Sequence, residues 1–235
     1  MATKKVKTQQ EAAAAPEEAI QNALSSTERF FEQNGKKVIS ACVVVILVIG
    51  GYFAYKYLYN APRTEKASQM VFVAEQLFAV DSFATALNGD GNNAGFLEVA
   101  EKYGATAPGN LARHYAGICY LKLGELDNAL SMLESYKQTD GVPNAIVNAQ
   151  NIGLQGDIHV QKENYEKAAA LYKKAVAASD NSLTAPMYLK KLGLVYEKLG
   201  NRAAALEAYK RISTEYLNSM EAQDIQKYIG QTEQE

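Results

Sequence analysis

Tryptophan is absent from the chain, cysteine and histidine occur twice each, and proline occurs five times in 235 residues. Each scarcity removes a class of function. Cys42 and Cys119 are too few for a disulfide framework or a four-cysteine zinc site. His114 and His159 stand 45 positions apart, without HExxH or zinc-finger spacing. No nucleophile is spaced near a plausible base, so the expectation is a non-enzyme with no metal, cofactor or small-molecule substrate. Charge of one sign is lacking too. Twenty-four basic residues meet 26 acidic ones, a net charge of -2. That balance leaves no overall surplus with which to grip nucleic acid.

Apolar residues are plentiful but unevenly placed. Val38 to Tyr55 reads VISACVVVILVIGGYFAY, eighteen residues without a charge. A helix of that length is roughly 27 Å long, close to the hydrocarbon thickness of a bilayer. A strand of that length would be exceptional, and no turn residue interrupts the run before Gly50. Tyr52, Phe53, Tyr55, Tyr57 and Tyr59 follow as an aromatic belt, with Lys56 placed to snorkel. Residues 36–60 therefore read as a single transmembrane signal anchor, since no A-x-A-like cleavage site follows. Arg29, Lys36 and Lys37 flank it on one side, with Lys4, Lys5 and Lys7 further out; Arg63 and Lys66 lie beyond it. The positive-inside bias favours a cytoplasmic N-terminus and places residues 61–235 across the membrane.

Residues 1–35 read as a cytoplasmic tail, disordered around Pro16. Ile20, Leu24, Thr27 and Phe31 fall at helical spacing, so a short juxtamembrane helix is one reading and a solvated helix with a single apolar stripe is another. Gly50 and Ala54 form a small-xxx-small pair that would let another helix approach. Cys42 serves there as a small apolar residue.

The last 175 residues carry an internal repeat. Gly117, Gly156 and Gly193 are each followed twelve positions later by Ala129, Ala168 and Ala205. Leu133, Tyr172 and Tyr209 stand four positions further on, and Tyr120, His159 and Tyr196 stand three after each glycine. This spacing matches the tetratricopeptide repeat, in which two antiparallel helices form a hairpin. The glycines and alanines mark the close helix crossing, and the aromatics fill the groove between one hairpin and the next. The glycine spacings of 39 and 37 exceed the family's 34, which puts insertions in the loops 138–143 and 179–185. Pro143 and Pro186 fall where a following helix starts.

Residues 61–109 suggest a further hairpin, with a long helix from Thr64 to Leu87 and a second from Ala94 to Tyr103. The run Asn88-Gly89-Asp90-Gly91-Asn92-Asn93 between them resembles a calcium loop. It fails that reading, because Asn93 replaces the glycine and Val99 the bidentate glutamate. Ser219 would cap a last helix from Met220 to Ile229, polar enough to close the solenoid. The expected fold is all-α: a single transmembrane helix, then a solenoid of about four helical hairpins and a capping helix.

With these residues in view, the anchor, the stretch from Ala86 to Leu130 and the repeats after it, roughly residues 36–230, resemble the membrane-anchored tetratricopeptide proteins of Gram-negative bacteria, the ancillary SecYEG translocon subunit family in particular. The resemblance implies a bacterial inner-membrane protein with a periplasmic repeat domain. It implies a binding adaptor for translocon subunits, a periplasmic chaperone or secreted clients. Outer-membrane assembly lipoproteins share such repeats, but Cys42 lacks a lipobox context. Carrying the family's groove positions over gives Leu111, His114, Ile118 and Lys122, then Gln150, Asp157 and Gln161, then Met187, Lys190, Leu194 and Lys198. A generic envelope scaffold or a cytoplasm-facing receptor is the rival reading.

Overall fold

The computed structural model describes residues 34–234, and among these every regular element is helical apart from one isolated bridge between Gly89 and Ala94. The expected tail and juxtamembrane helix fall outside the described residues. The chain divides into two units, Met1–Ala61 and Pro62–Glu235.

In the first unit residues 34–54 are helical (α1), and Tyr55–Asn60 is a π-helical turn. This is the single helical stretch among the described residues that is long and apolar enough to cross a membrane. Most of its apolar side chains are exposed: Leu47 is 69% exposed and Leu58 78%. Ser40 resolves its polar hydroxyl by donating to the Lys36 carbonyl at 2.9 Å. Phe53 stacks on Tyr57 and Tyr55 on Tyr59, with Lys56 Nζ 5.7 Å from the Tyr57 ring centroid. A side chain added at Gly50 would meet nothing.

The second unit runs α2 (Ala61–Ala79), α3 (Phe83–Asn88), α4 (Phe96–Tyr103), α5 (Ala107–Lys122) and α6 (Leu126–Ser135). It continues through α7 (Val142–Gln161), α8 (Tyr165–Ala178), α9 (Ala185–Lys198), α10 (Arg202–Glu215) and α11 (Ile225–Gln234). From α4 onward each helix packs on its sequence neighbour, the arrangement of a solenoid. One core joins α2 to α5 around Val71, Phe96 and Val99, and a second joins α7 to α11 around Tyr172, Leu189 and Tyr209. Ala129, Leu133 and Ile158 fill the space between them.

One device ends four helices. The Gly124 N–H donates to the Leu121 carbonyl and the Glu125 N–H reaches back to Tyr120. The same pair of bonds recurs at Glu163/Asn164 and at Gly200/Asn201. This double bond is a Schellman motif, which needs a residue at positive φ. Gly124 and Gly200 supply it at 82° and 69°, whereas Glu163 adopts 59° with a side chain attached. Glu125, Asn164 and Asn201 then serve as the N-cap residues of α6, α8 and α10. Each hairpin thus turns within three residues.

The fourth motif corrects the sequence reading. Asp81, at φ 58°, donates to Phe78 while Ser82 reaches Leu77, so the helix expected to continue to Leu87 stops at Ala79 and restarts at Phe83. Without a glycine there, the stop leaves no sequence signal. The Asn88–Asn93 run is a turn between helices: Asp90 accepts from the Asn92 and Asn93 N–H groups and the Asn93 amide. At the C-terminus the expected helix from Met220 splits into a 3₁₀ turn, Glu221–Gln223, and α11. Ser219 accepts from the Ala222 N–H at the start of that turn.

Candidate binding groove

The repeat positions pack as glycine against a large partner. Gly117 and Leu133 stand on opposite helices at similar distances from their turn, as do Gly156 with Tyr172 and Gly193 with Tyr209. A Cβ at Gly193 would lie 2.1 Å from the Tyr209 ring, one at Gly156 2.7 Å from Tyr172, and one at Gly117 2.6 Å from Leu133. Ala129, Ala168 and Ala205 are fully buried beside them. The aromatics therefore fill their own hairpin first. They also reach the next, since Tyr172 stacks on Tyr188 at 6.2 Å and Tyr209 lies 5.5 Å from Tyr228. Of the positions three past each glycine, Tyr120 and Tyr196 are half-buried and His159 is buried.

Charged pairs bridge consecutive hairpins. Lys191 donates to both oxygens of Asp157 at 2.7 and 2.8 Å, and the Tyr172 hydroxyl donates to the same carboxylate at 2.6 Å. Lys190 binds both oxygens of Asp224 and lies over the Tyr228 ring, and Lys162 pairs with Asp127. Asp157 and Lys190, expected to face a partner, are thereby engaged inside the molecule.

His114 requires a correction. It was expected in an open groove but is 3% exposed, wedged near Tyr115 and Tyr136, with its Nδ1 3.3 Å from the Asn151 amide nitrogen. Burial pushes its pKa down to about 4. Cys119 is a fully buried core residue, and that burial raises its thiol to about 12. Met187 packs half-buried on the C-terminal core. Ile118 is half-buried, and Lys122 lies over the Phe83 ring. Gln150, Gln161, Leu194 and Lys198 are exposed.

A sizeable concavity has other walls. A cavity of about 700 Å³ opens between α2, the start of α5, the segment after α6 and the start of α7. Val71, Phe72, Pro108, Leu111 and Val147 make it apolar, and Glu75 is its single charged residue. Phe72 is 60% exposed. Glu75 hydrogen-bonds the Tyr115 hydroxyl, and burial with that carboxylate lifts the phenol to about 12. Of the sequence candidates, Leu111 alone lines this cavity. The α2 wall was missed because the repeat signature begins only at α5. Phe72, a large apolar residue between Val71 and Val73 with no buried role, was the available signal.

No group of three metal-ligating side chains occurs among the described residues.

Comparison with known proteins agrees with this geometry. Sequence profiles of the tetratricopeptide repeat match residues 112–140, 149–182 and 191–219. No curated protein matches the chain significantly. Among solved structures, the MamA protein superposes with a TM-score of 0.51 at 16% identity, covering 72% of this chain and 89% of that one. A variant of a putative kinesin light chain from Podosopora anserina, with nearly identical TPR-like repeats, gives 0.54 at 12% identity, covering 73% and 86%. At such identities the likeness is one of fold. Profiles, hairpin turns and glycine-against-ring packing agree: the chain carries three tetratricopeptide repeats within an all-helical, TPR-like solenoid that also includes α2 to α4 and α11.

Proposed function

We propose that the protein is a membrane-anchored adaptor of the bacterial inner membrane, working beside the protein-secretion channel with its repeat unit in the periplasm. The carrying observation is the pairing in one chain of an uncovered apolar helix with a repeat unit that holds an open, apolar cavity. A helix whose Val44, Val45, Leu47 and Val48 are all more than half exposed requires a lipid or protein environment. Repeat units of this kind bind protein segments in concave surfaces. Tethering raises the effective concentration of the groove for anything emerging beside the anchor, so weak contacts suffice. The charge flanks of α1 support a cytoplasmic N-terminus, and the resemblance to ancillary translocon subunits supports the location.

Crosslinking in native membranes tests this reading. Replacing residues 36–60 with an unrelated transmembrane helix is expected to abolish crosslinks to translocon subunits while retaining those to a periplasmic chaperone or client. Phe72→Asp, at the cavity mouth, is expected to do the reverse. If neither change alters the crosslinked partners, the translocon assignment gives way to a generic envelope scaffold.

A further inference from the structure

The segment joining α6 to α7 is held in an unusual way. The equivalent segment between α8 and α9 caps itself: Asn181 Oδ1 accepts from the Leu183 and Thr184 N–H groups. The Ser135–Asp140 segment is instead gripped by side chains from both flanking first helices. Asn110 of α5 binds the main chain of Lys137 twice, accepting from its N–H at 2.8 Å and donating to its carbonyl at 2.7 Å. Asn148 of α7 treats Thr139 the same way, accepting from its N–H at 3.4 Å and donating to its carbonyl at 2.9 Å. Arg113 donates to the Ser135 carbonyl and Asn144 to the Asp140 carbonyl.

An amide side chain that takes both the N–H and the carbonyl of one residue imitates a neighbouring β-strand. Two such amides on residues two apart select an extended chain, because in that conformation alternate residues present their polar groups to the same side. Tyr136, at ψ 130°, enters the segment extended; its ring is buried and its hydroxyl donates to Asn148 Oδ1. The side chains of Lys137, Gln138, Thr139 and Asp140 stay exposed. Recognition is therefore of the main chain and one aromatic ring, with little demand on sequence. Tyr136 and Thr139 also form one wall of the apolar cavity, so departure of the segment would join its seat to that cavity.

We propose that Tyr136–Thr139 is a built-in strap occupying a main-chain-reading site, and that an extended polypeptide of the client binds by displacing it onto Asn110 and Asn148. The inference rests on the adaptor reading and names the form its client takes. Occupation by the strap lowers the apparent affinity to the intrinsic affinity multiplied by the fraction of time the seat is open, which keeps the groove from sticking to passing chains.

Two variants separate this from simple loop fastening. Lys137→Pro with Thr139→Pro removes two donors from the strap and leaves the reading amides in place. Asn110→Ala with Asn148→Ala also frees the strap but destroys the reader. The probe is reduced, carboxymethylated lactalbumin, a permanently unfolded chain, titrated against the full-length protein in detergent micelles. The proline pair should tighten binding by about five-fold or more, while the alanine pair should bind no better than the unchanged protein. Equal affinities for the two pairs would overturn the proposal. Should the proline pair fail to fold, hydrogen exchange on the unchanged protein decides. The Lys137 and Thr139 amides must lose protection when the probe is added, and unchanged or increased protection there overturns the strap. If the unchanged protein binds the probe, Phe72→Asp weakens that binding, and the two pairs behave alike, the strap falls and the adaptor reading stands. If no form binds, both fall.

Discussion

Gly193→Ala adds one methyl group where the repeat has least room. Its Cβ would lie 2.1 Å from Tyr209 Cε1, 2.5 Å from Cζ and 2.7 Å from Cδ1. Ordinary carbon contact requires roughly 3.5–4 Å, so the ring must retreat by more than about 1 Å. Tyr209 is fully buried and its far side meets Tyr228, leaving nowhere to go without moving α11. Overpacking of this kind costs about 1–3 kcal/mol, and a rigid ring at this separation belongs at the upper end. Against it stands the helix propensity of alanine, worth about 1 kcal/mol over glycine. The net expectation is about 2 kcal/mol of destabilisation, a fall of roughly 4–8 °C in Tm for a domain of this size. Gly230 in α11 supplies the control, because a Cβ there meets nothing and its φ is ordinary. Gly230→Ala should stabilise by about 0.5–1 kcal/mol. Adding Tyr209→Leu to Gly193→Ala should recover part of the loss, with a coupling of at least about 1 kcal/mol in the double-mutant cycle. Thermal and urea unfolding followed by circular dichroism measure the unchanged protein, Gly193→Ala, Tyr209→Leu, their double variant and Gly230→Ala. If Gly193→Ala raised the midpoint as Gly230→Ala does, the packing account of the repeat would be wrong.

Glu163 holds a left-handed conformation that costs a non-glycine residue about 1–2 kcal/mol, so Glu163→Gly should stabilise by about 0.5–1 kcal/mol after glycine's own entropy loss, read from the urea midpoint. His114 is depressed from 6.5 to about 4 by burial, so the unfolded chain binds the proton first. Its contribution to stability is complete above pH 6.5 and disappears as the pH falls towards 4, a loss of about 3 kcal/mol that His114→Gln should remove from the pH dependence of unfolding.

The parts of the fold legible in the sequence were those with a residue-type requirement. Close helix crossings demand glycine and alanine, so Gly117, Gly156 and Gly193 displayed the repeats directly. Tight turns after Leu123 and Leu199 demand positive φ and took glycine. Where the same geometry was filled by another residue, the signal vanished: Asp81 breaks α2 from α3 as decisively as a glycine would. Burial of single polar residues was illegible for a different reason. His114 sits at a helix position compatible with either face, and only the Tyr136 ring and Asn151, 22 and 37 positions away, decide that it is enclosed. The engagement of Asp157 and Lys190 was illegible similarly, because an isolated hairpin does not contain Lys191 and Asp224, which the next element supplies.

The inserted residues between Gly117 and Gly156 were readable as a loop but not as a strap, and the difference lies in who satisfies the backbone. A solvated loop leaves its N–H and carbonyl groups to water at little cost, which is why insertions are tolerated. Here Asn110 and Asn148 take them instead, and each amide gives up both its own water and its own rotamer freedom to do so. Nothing in α5 or α7 requires asparagine for helix formation, where it is among the weaker residues. The α8–α9 segment shows that the turn works without the pair, for Ala149 holds before Gly156 the place that Asn110 holds before Gly117, and Ala185 holds before Gly193 the place of Asn148 before Gly156. A site that spends helix propensity to hold extended main chain, at the edge of an apolar cavity, is built for a ligand of that shape. In the resting molecule that ligand is the protein's own chain.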